Sequence, residues 1–339
     1  MTASRVCFIT TSGGRYGLGH LSRCGSIAQQ LSAEGHDVQI LLGQESRPTE
    51  RERLLGPIIS RLGTELSVFD NQGTRSVHPT LLETLETDKP DTVFLDFYEI
   101  GPRFQATVNN ICPQTIVIDD QASDSFICGH LINYAPAVSA ADYRGRAADT
   151  TELHLGLDFF PISESLRAQK AQTGRQNYLA VCLGGTGCGE ATLALTRQLQ
   201  RCDIVDHFDQ IIVINGLTPQ DQVGLNLGDK FRTVSEPSNY AELIANARVA
   251  ITGAGVTALE RVYLESPGII VVTADNQEPN FRYLTDNNIF VGHRPGTQGP
   301  RELNDAIRES LERPVRNNII DGMAVNRIAE IVRDRAQAS

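Results

Sequence analysis

Residues 5–34 read RVCFITTSGGRYGLGHLSRCGSIAQQLSAE: a short β-branched apolar run, a turn holding four glycines, then a helical pattern. A strand feeding a glycine-rich turn and a helix is the opening of a parallel βαβ unit. The glycines let backbone amides approach a ligand, and the helix N-terminus that follows favours negative charge. His20 stands at the mouth of this turn, placed to exchange a proton near neutral pH. Gly17 and Gly19 also fit a dinucleotide-type turn with an incidental histidine, and the local sequence leaves both readings open.

The same alternation continues outward. Apolar runs at 38–43, 92–97, 115–120 and 130–136 read as strands, with helical patterns over 48–62, 80–88 and between 97 and 115. A second series begins at YLAVCLGG (178–185) and runs through strands at 209–216, 247–255 and 267–274. Helices are expected near 189–201, 256–265, 301–312 and 321–336. Strands alternating with helices of this size imply parallel sheets with right-handed crossovers. Two such series in 339 residues imply an α/β chain of two Rossmann-like domains facing each other across a cleft, residues 1–155 and 156–339, with the C-terminal helix in the second.

Composition narrows the classes. Apolar residues are 40% of the chain, enough for two cores, and a net charge of −11 argues against a general nucleic-acid binder. No apolar run reaches the length of a membrane span and no leader pattern opens the chain, so the cytoplasm is the expected location. The seven cysteines form no CxxC pair and no Cys/His zinc spacing, and are expected as buried thiols. DxD, Walker lysine, GxSxG and HExxH patterns are missing. No metal and no cofactor is expected.

In open α/β sheets ligands bind beyond the carboxyl ends of the strands, so the residues just after each apolar run are the candidates. In the first half these are Asp96, Tyr98, Asp119 and Asp120; in the second, Gly185 and Thr186, the turn through Gly255, Val256, Thr257 and Glu260, and Asn276 with Gln277. A glycine turn opening a helix suits a diphosphate, and Glu260, one turn in, suits a ribose diol. Each also has a plainer reading as a cap or turn former.

The stretch GLGHLSRCGSIAQQL (17–31) resembles the GxGHxxR signature of the UDP-sugar hydrolase of pseudaminic-acid biosynthesis and its spore-coat-polysaccharide relatives. These belong to the GT-B superfamily, with the lipid II-forming N-acetylglucosaminyltransferase. The resemblance continues through LDFY (95–98), IDD (118–120), LINYAPAVSAADYRG (131–145), LGGTG (183–187), GAGVTALERVYLESPGIIVVTADNQ (253–277) and DGMAVNRIAEIV (321–332). It implies a GT-B fold with UDP held by the second domain. His20 and Tyr98 are implied as catalytic, Tyr98 from the sugar-side pocket. It implies substrate contacts from Gly17, Gly19, Arg23, Asp96, Asp120 and Asn133, and nucleotide contacts from Gly185, Thr186, Gly255, Val256, Thr257, Glu260, Asn276 and Gln277. The implied reaction is hydrolysis of a UDP-activated amino sugar at its anomeric carbon. Ile9-Thr10-Thr11 stand where the family carries Arg-x-Asp, and Ala135 where it carries asparagine. Transfer to an acceptor and non-catalytic binding of a nucleotide sugar are the alternatives.

Overall fold

The computed structural model describes residues 3–12, 19–44, 59–61, 67–69, 75–77, 79–98, 101–112, 114–170, 174–184, 189–235, 237–313 and 319–336. The chain divides into two compact units, residues 1–163 with 322–339, and residues 164–321.

In the first unit β1 (Arg5–Ser12) leads to α1 (Gly19–Ala33), β2 (Asp37–Gln44) and β3 (Ile59–Arg61). A small antiparallel pair, β4 (Ser67–Phe69) and β5 (Arg75–Val77), precedes α2 (Pro79–Asp88). Then follow β6 (Thr92–Asp96), α3 (Pro102–Ile111), β7 (Gln114–Ile118), β8 (His130–Asn133) and β9 (Glu152–Leu155). The seven-stranded sheet runs β3-β2-β1-β6-β7-β8-β9, every pair parallel. β6 and β7 are buried at every position, as strands covered on both faces must be, which is why they read as unbroken apolar runs. Phe8 and Phe94 stack on neighbouring strands with centroids 4.3 Å apart.

The second unit opens with α4 (Glu164–Lys170), β10 (Gln176–Cys182) and α5 (Gly189–Leu199), then β11 (Gln210–Ile214), α6 (Pro219–Leu225) and β12 (Phe231–Val234). It continues through α7 (Tyr240–Ala245), β13 (Ala247–Gly253), α8 (Val256–Leu264) and β14 (Gly268–Val271). α9 (Glu278–Asp286), β15 (Val291–His293) and α10 (Pro300–Glu312) complete it. Its six parallel strands run β12-β11-β10-β13-β14-β15. Each sheet therefore reverses direction beside its first strand, between β1 and β6 in one unit and between β10 and β13 in the other. In doubly wound sheets that reversal opens the ligand crevice at the carboxyl ends of the strands.

The division differs from the expected one in two places. The first unit extends to residue 163, and the last helix, α11 (Ala324–Ala336), returns to it. Val325, Ile328, Ala329 and Val332 form the buried stripe of α11 at helical spacing. Its backbone accepts from the Gln114 amide at the Ile331 carbonyl (3.0 Å), Arg333 pairs with Glu34, and Arg327 donates to the Asp158 carbonyl. The helical reading of 48–62 is also corrected at 59–61, which pair with β2 as a strand. Pro57 and the β-branched pair Ile58-Ile59 disfavour continuing a helix there, and residues 48–58 lie outside the described ones. The six described cysteines are free and buried. Among the described residues no helix is long and apolar enough to cross a membrane.

Candidate active site

His20 and Arg23 are one turn apart on α1, so both side chains leave the same face of the helix. That face meets the carboxyl end of β6, where Asp96, opposite Thr10 of β1, is the last strand residue and is fully buried. His20 Nδ1 lies 2.7 Å from Asp96 Oδ1. The Arg23 guanidinium grips the same carboxylate with two nitrogens, Nε donating to Oδ2 at 2.7 Å and Nη2 to Oδ1. Cys24 Sγ adds a third donor group, 3.1 Å from Oδ2. Arg23 Nη1 reaches further, donating to Asp120 Oδ2 at 3.1 Å and to the Tyr134 hydroxyl.

Electrostatics follow from that crowding. Burial disfavours a charged Asp96, but Arg23 and His20 outweigh it and hold the carboxyl below the ordinary range. Burial alone would weaken the Arg23 cation, yet Asp96 raises its pKa well above the usual value. His20 Nδ1 also lies 2.8 Å from Arg23 Nη2, which only donates. That nitrogen already has Asp96 Oδ1 as its acceptor, and the shorter contact of the ring with the carboxylate, which only accepts, favours the proton on Nδ1. The lone pair of the ring is then on Nε2. Tyr98 meets the His20 ring edge-on, centroids 4.7 Å apart, and its hydroxyl donates to Asp120 at 3.3 Å. Burial and then Asp120 push its pKa up to about 12, so near neutrality it holds its proton and serves as a donor.

His20, Arg23, Tyr98, Asp120, Gln121 and Asp124 line a small pocket at this end of the sheet. Asn133 does not line it. It is fully buried, its amide donating to Tyr143 (2.7 Å) and Asp119 (3.3 Å) and accepting from the Ala135 amide. Its polar atoms are engaged by the scaffold. Asp119, which also takes the Tyr143 hydroxyl and the amides of Gln121 and Ala122, shapes the turn that presents Asp120. Gly19 is the first residue of α1; Gly17 lies outside the described residues.

In the second unit the candidates gather at the carboxyl ends of β10, β13 and β14. A Cβ on Gly253 would sit 2.5 Å from the Leu183 carbonyl oxygen, so only glycine lets β13 end this close to β10. Gly255 caps α8, which Val256 and Thr257 open. The Tyr240 hydroxyl sits 3.1 Å from both Thr257 Oγ1 and Glu260 Oε2, donating to the carboxylate and accepting from the threonine. Gln277 Oε1 accepts from the Ala254 amide (3.2 Å), the Thr273 amide and the Thr273 hydroxyl (both 3.1 Å), tying the turn before α8 to the end of β14. Asn276 beside it is exposed. Arg261, fully buried, braces the turn from below through Thr252 and the Ile269 and Ser266 carbonyls. Gly185 and Thr186 lie outside the described residues.

Gln277 thus works through the backbone. Replacing it by alanine removes the shared acceptor of three donors, each worth about 0.5–1.5 kcal/mol. Gln277→Ala is expected to lower the melting temperature of the chain by several degrees, since all three donors lose their acceptor. An unchanged melting temperature would show that the turn does not depend on this acceptor.

Tyr134 and Tyr240 were not among the candidates read from the sequence. Tyr134 follows β8 directly, so the strand-end rule reaches it. Tyr240 sits on α7, remote in sequence from the turn it touches, and no local pattern marks it.

No protein-family profile matches the chain, and no curated protein matches it. Solved structures do. MurG of Acinetobacter baumannii superimposes with a TM-score of 0.58 at 14% identity, covering 97% of this chain and 99% of that one. The spinosyn forosaminyltransferase SpnP gives 0.64 at 14% identity, covering 98% and 99%. The UDP-GlcNAc 2-epimerase of Methanocaldococcus jannaschii gives 0.61 at 15% identity, covering 96% and 99%. The likeness spans whole chains in each case and lies in the order and direction of the elements. Two doubly wound units with these strand orders, matched over their full length, give the chain the GT-B fold.

Proposed function

We propose that the chain transfers a sugar from a UDP-sugar donor to an acceptor hydroxyl, with His20 as the base. The observation that carries this reading is the His20–Asp96 contact of 2.7 Å beneath the pocket of the first unit. A histidine whose Nδ1–H is held by a buried carboxylate has its basic nitrogen fixed in direction, and the carboxylate stabilises the imidazolium that forms. In the proposed step the acceptor hydroxyl gives its proton to Nε2 as its oxygen bonds to the anomeric carbon. The bond from that carbon to the diphosphate breaks, and the electron pair leaves with the β-phosphate oxygen. Backbone amides at the Gly255 end of α8, fixed in place by Gln277, are suited to that charge. Glu260 is the candidate for the ribose diol.

Hydrolysis, the sequence-derived expectation, uses the same parts with water as acceptor. MurG and SpnP, two of the three structures described above, share this fold, and SpnP is named a transferase; none of the three is named a hydrolase. The test is phosphorus NMR with a panel of UDP-sugars, with and without simple sugar and phenol acceptors. UDP release that requires an acceptor is the expected outcome. Equal release in water alone would replace transfer by hydrolysis, and binding without release in any mixture would reduce the chain to a binding protein.

Tyr98 separates two roles in the same assay. Tyr98→Phe keeps the ring against His20 and loses the hydrogen bonds of the hydroxyl, those to Asp120 and Gln121 among them, so kcat should stay within about threefold. Tyr98→Ala frees the imidazole to rotate and should lower kcat about tenfold. A phenylalanine variant as impaired as the alanine one would instead give the hydroxyl a direct part in the chemistry.

A further inference from the structure

At the opposite end of the first sheet, β8 and β9 bring three metal-ligand side chains to one face. Their parallel register sets His130 beside Glu152 and Ile132 beside His154, so residues 130, 152 and 154 point the same way. His130 Nδ1 lies 3.1 Å from His154 Nε2. The Glu152 carboxylate approaches both, Oε2 3.6 Å from His130 Nδ1 and Oε1 3.8 Å from His154 Nε2. One ligand atom from each residue lies within 4.8 Å of the other two. Ligand atoms bound about 2.0–2.2 Å from a tetrahedral cation stand roughly 3.3–3.6 Å apart. The two ring nitrogens are already near that spacing, and a turn of the exposed carboxylate, whose two oxygens each face one ring, brings a single oxygen to it.

From this geometry we propose a divalent transition-metal site of the zinc class, with His130 Nδ1, His154 Nε2 and the Glu152 carboxylate as ligands. Two imidazoles and one carboxylate suit zinc or cobalt over calcium or magnesium, which prefer all-oxygen shells. Both histidines are mostly covered while Glu152 is exposed, so the cation enters from the carboxylate side and water completes the tetrahedron. The site rivets the edge strand β9 to β8. It is also wired to α11, because the Gln114 amide nitrogen contacts His130 Nε2 (3.2 Å) and donates to the Ile331 carbonyl. With that amide donating to Nε2, the His130 ring proton is on Nδ1. Loading the cation shifts it to Nε2, so Gln114 must turn its oxygen to the ring and release the α11 carbonyl. The ligands lie on two strands, and only the register unites them.

The test uses the full chain, stripped of metal, titrated with cobalt and then zinc. The ligand-field band of tetrahedral cobalt should saturate at one equivalent and disappear on adding zinc. His154→Ala and His130→Ala should each weaken binding at least about 10- to 100-fold, whereas His207→Ala, at an exposed position elsewhere, should bind as the parent does. Zinc should raise the melting temperature of the parent but not of His154→Ala, and circular dichroism of each variant confirms that it folds. No band at one equivalent, a band that survives both histidine substitutions, or a thiolate charge-transfer band showing cysteine ligation would each overturn the site.

Discussion

His20→Ala should lower turnover of the UDP-sugar by about 10²–10⁴-fold, the range for loss of a positioned general base, while UDP affinity stays within about twofold. The position of His20 accounts for both effects. It is nearly covered, fixed through Nδ1 by a buried carboxylate and braced on its flank by Tyr98. None of these contacts involves the turn before α8, so removing the imidazole should leave nucleotide binding alone. Asp96→Asn provides the companion result. An asparagine keeps the volume but its amide can present an N–H to His20 Nδ1, which reverses the tautomer and aims Nε2–H at the acceptor. kcat should therefore fall nearly as far as in His20→Ala, and the double variant should be no worse than either single one. Steady-state rates and calorimetric UDP titration of the three proteins decide it. A kcat in His20→Ala within threefold of the parent removes His20 from the chemistry, whatever the fate of the transfer reading.

The parts of this site visible in the sequence are those set by strand ends. Asp96 and Asp120 end apolar runs and His20 closes a glycine turn, so the crevice rule for parallel sheets gathers these three without coordinates, while Arg23 comes from the family resemblance. The alternation of strands and helices likewise gave the two units, since buried parallel strands must be nearly uniform in apolar character. What stayed hidden was set by tertiary contact. β3, β9, β12 and β15 have three or four residues each, too few to show a period. The stripe of α11 announces burial yet does not say against what, and it covers the first unit instead of the second that precedes it in sequence. Asn133 is the contrasting case. It stands at a strand end like Asp96, but the Tyr143 hydroxyl and Asp119 behind it consume its amide. Position nominates a residue; the hydrogen-bond partners decide its role.

Arg23→Met should be the most destabilising single change among the site residues, because it strands a buried charge. Asp96 is fully buried and takes two hydrogen bonds from the guanidinium, so losing Arg23 leaves the carboxylate with His20 and a weak thiol donor. Breaking one side of such a pair costs about 3–5 kcal/mol, or roughly 6–20 °C in the melting temperature of a unit this size. The cost also depends on pH, with a sign that can be worked out. In the parent, Asp96 titrates below its unfolded value, so its ionised form contributes stability that is complete above the ordinary carboxylate range and lost as pH falls through the folded value. In Arg23→Met the desolvation remains and its main counterweight is gone. The folded carboxyl should then titrate above its unfolded value, and stability should be lost as pH rises through the carboxylate range. The gap between parent and variant should accordingly widen from about pH 3.5 to pH 7. Removing the charge along with its partner should close most of that gap, so Arg23→Met with Asp96→Asn is expected to melt above Arg23→Met alone at pH 7. Arg23→Lys keeps the charge but not the two-pronged grip, and belongs between parent and methionine variant. Thermal melts of these proteins at three pH values test the argument, and a gap that does not change with pH would show that Arg23 acts by packing and not by holding Asp96 ionised.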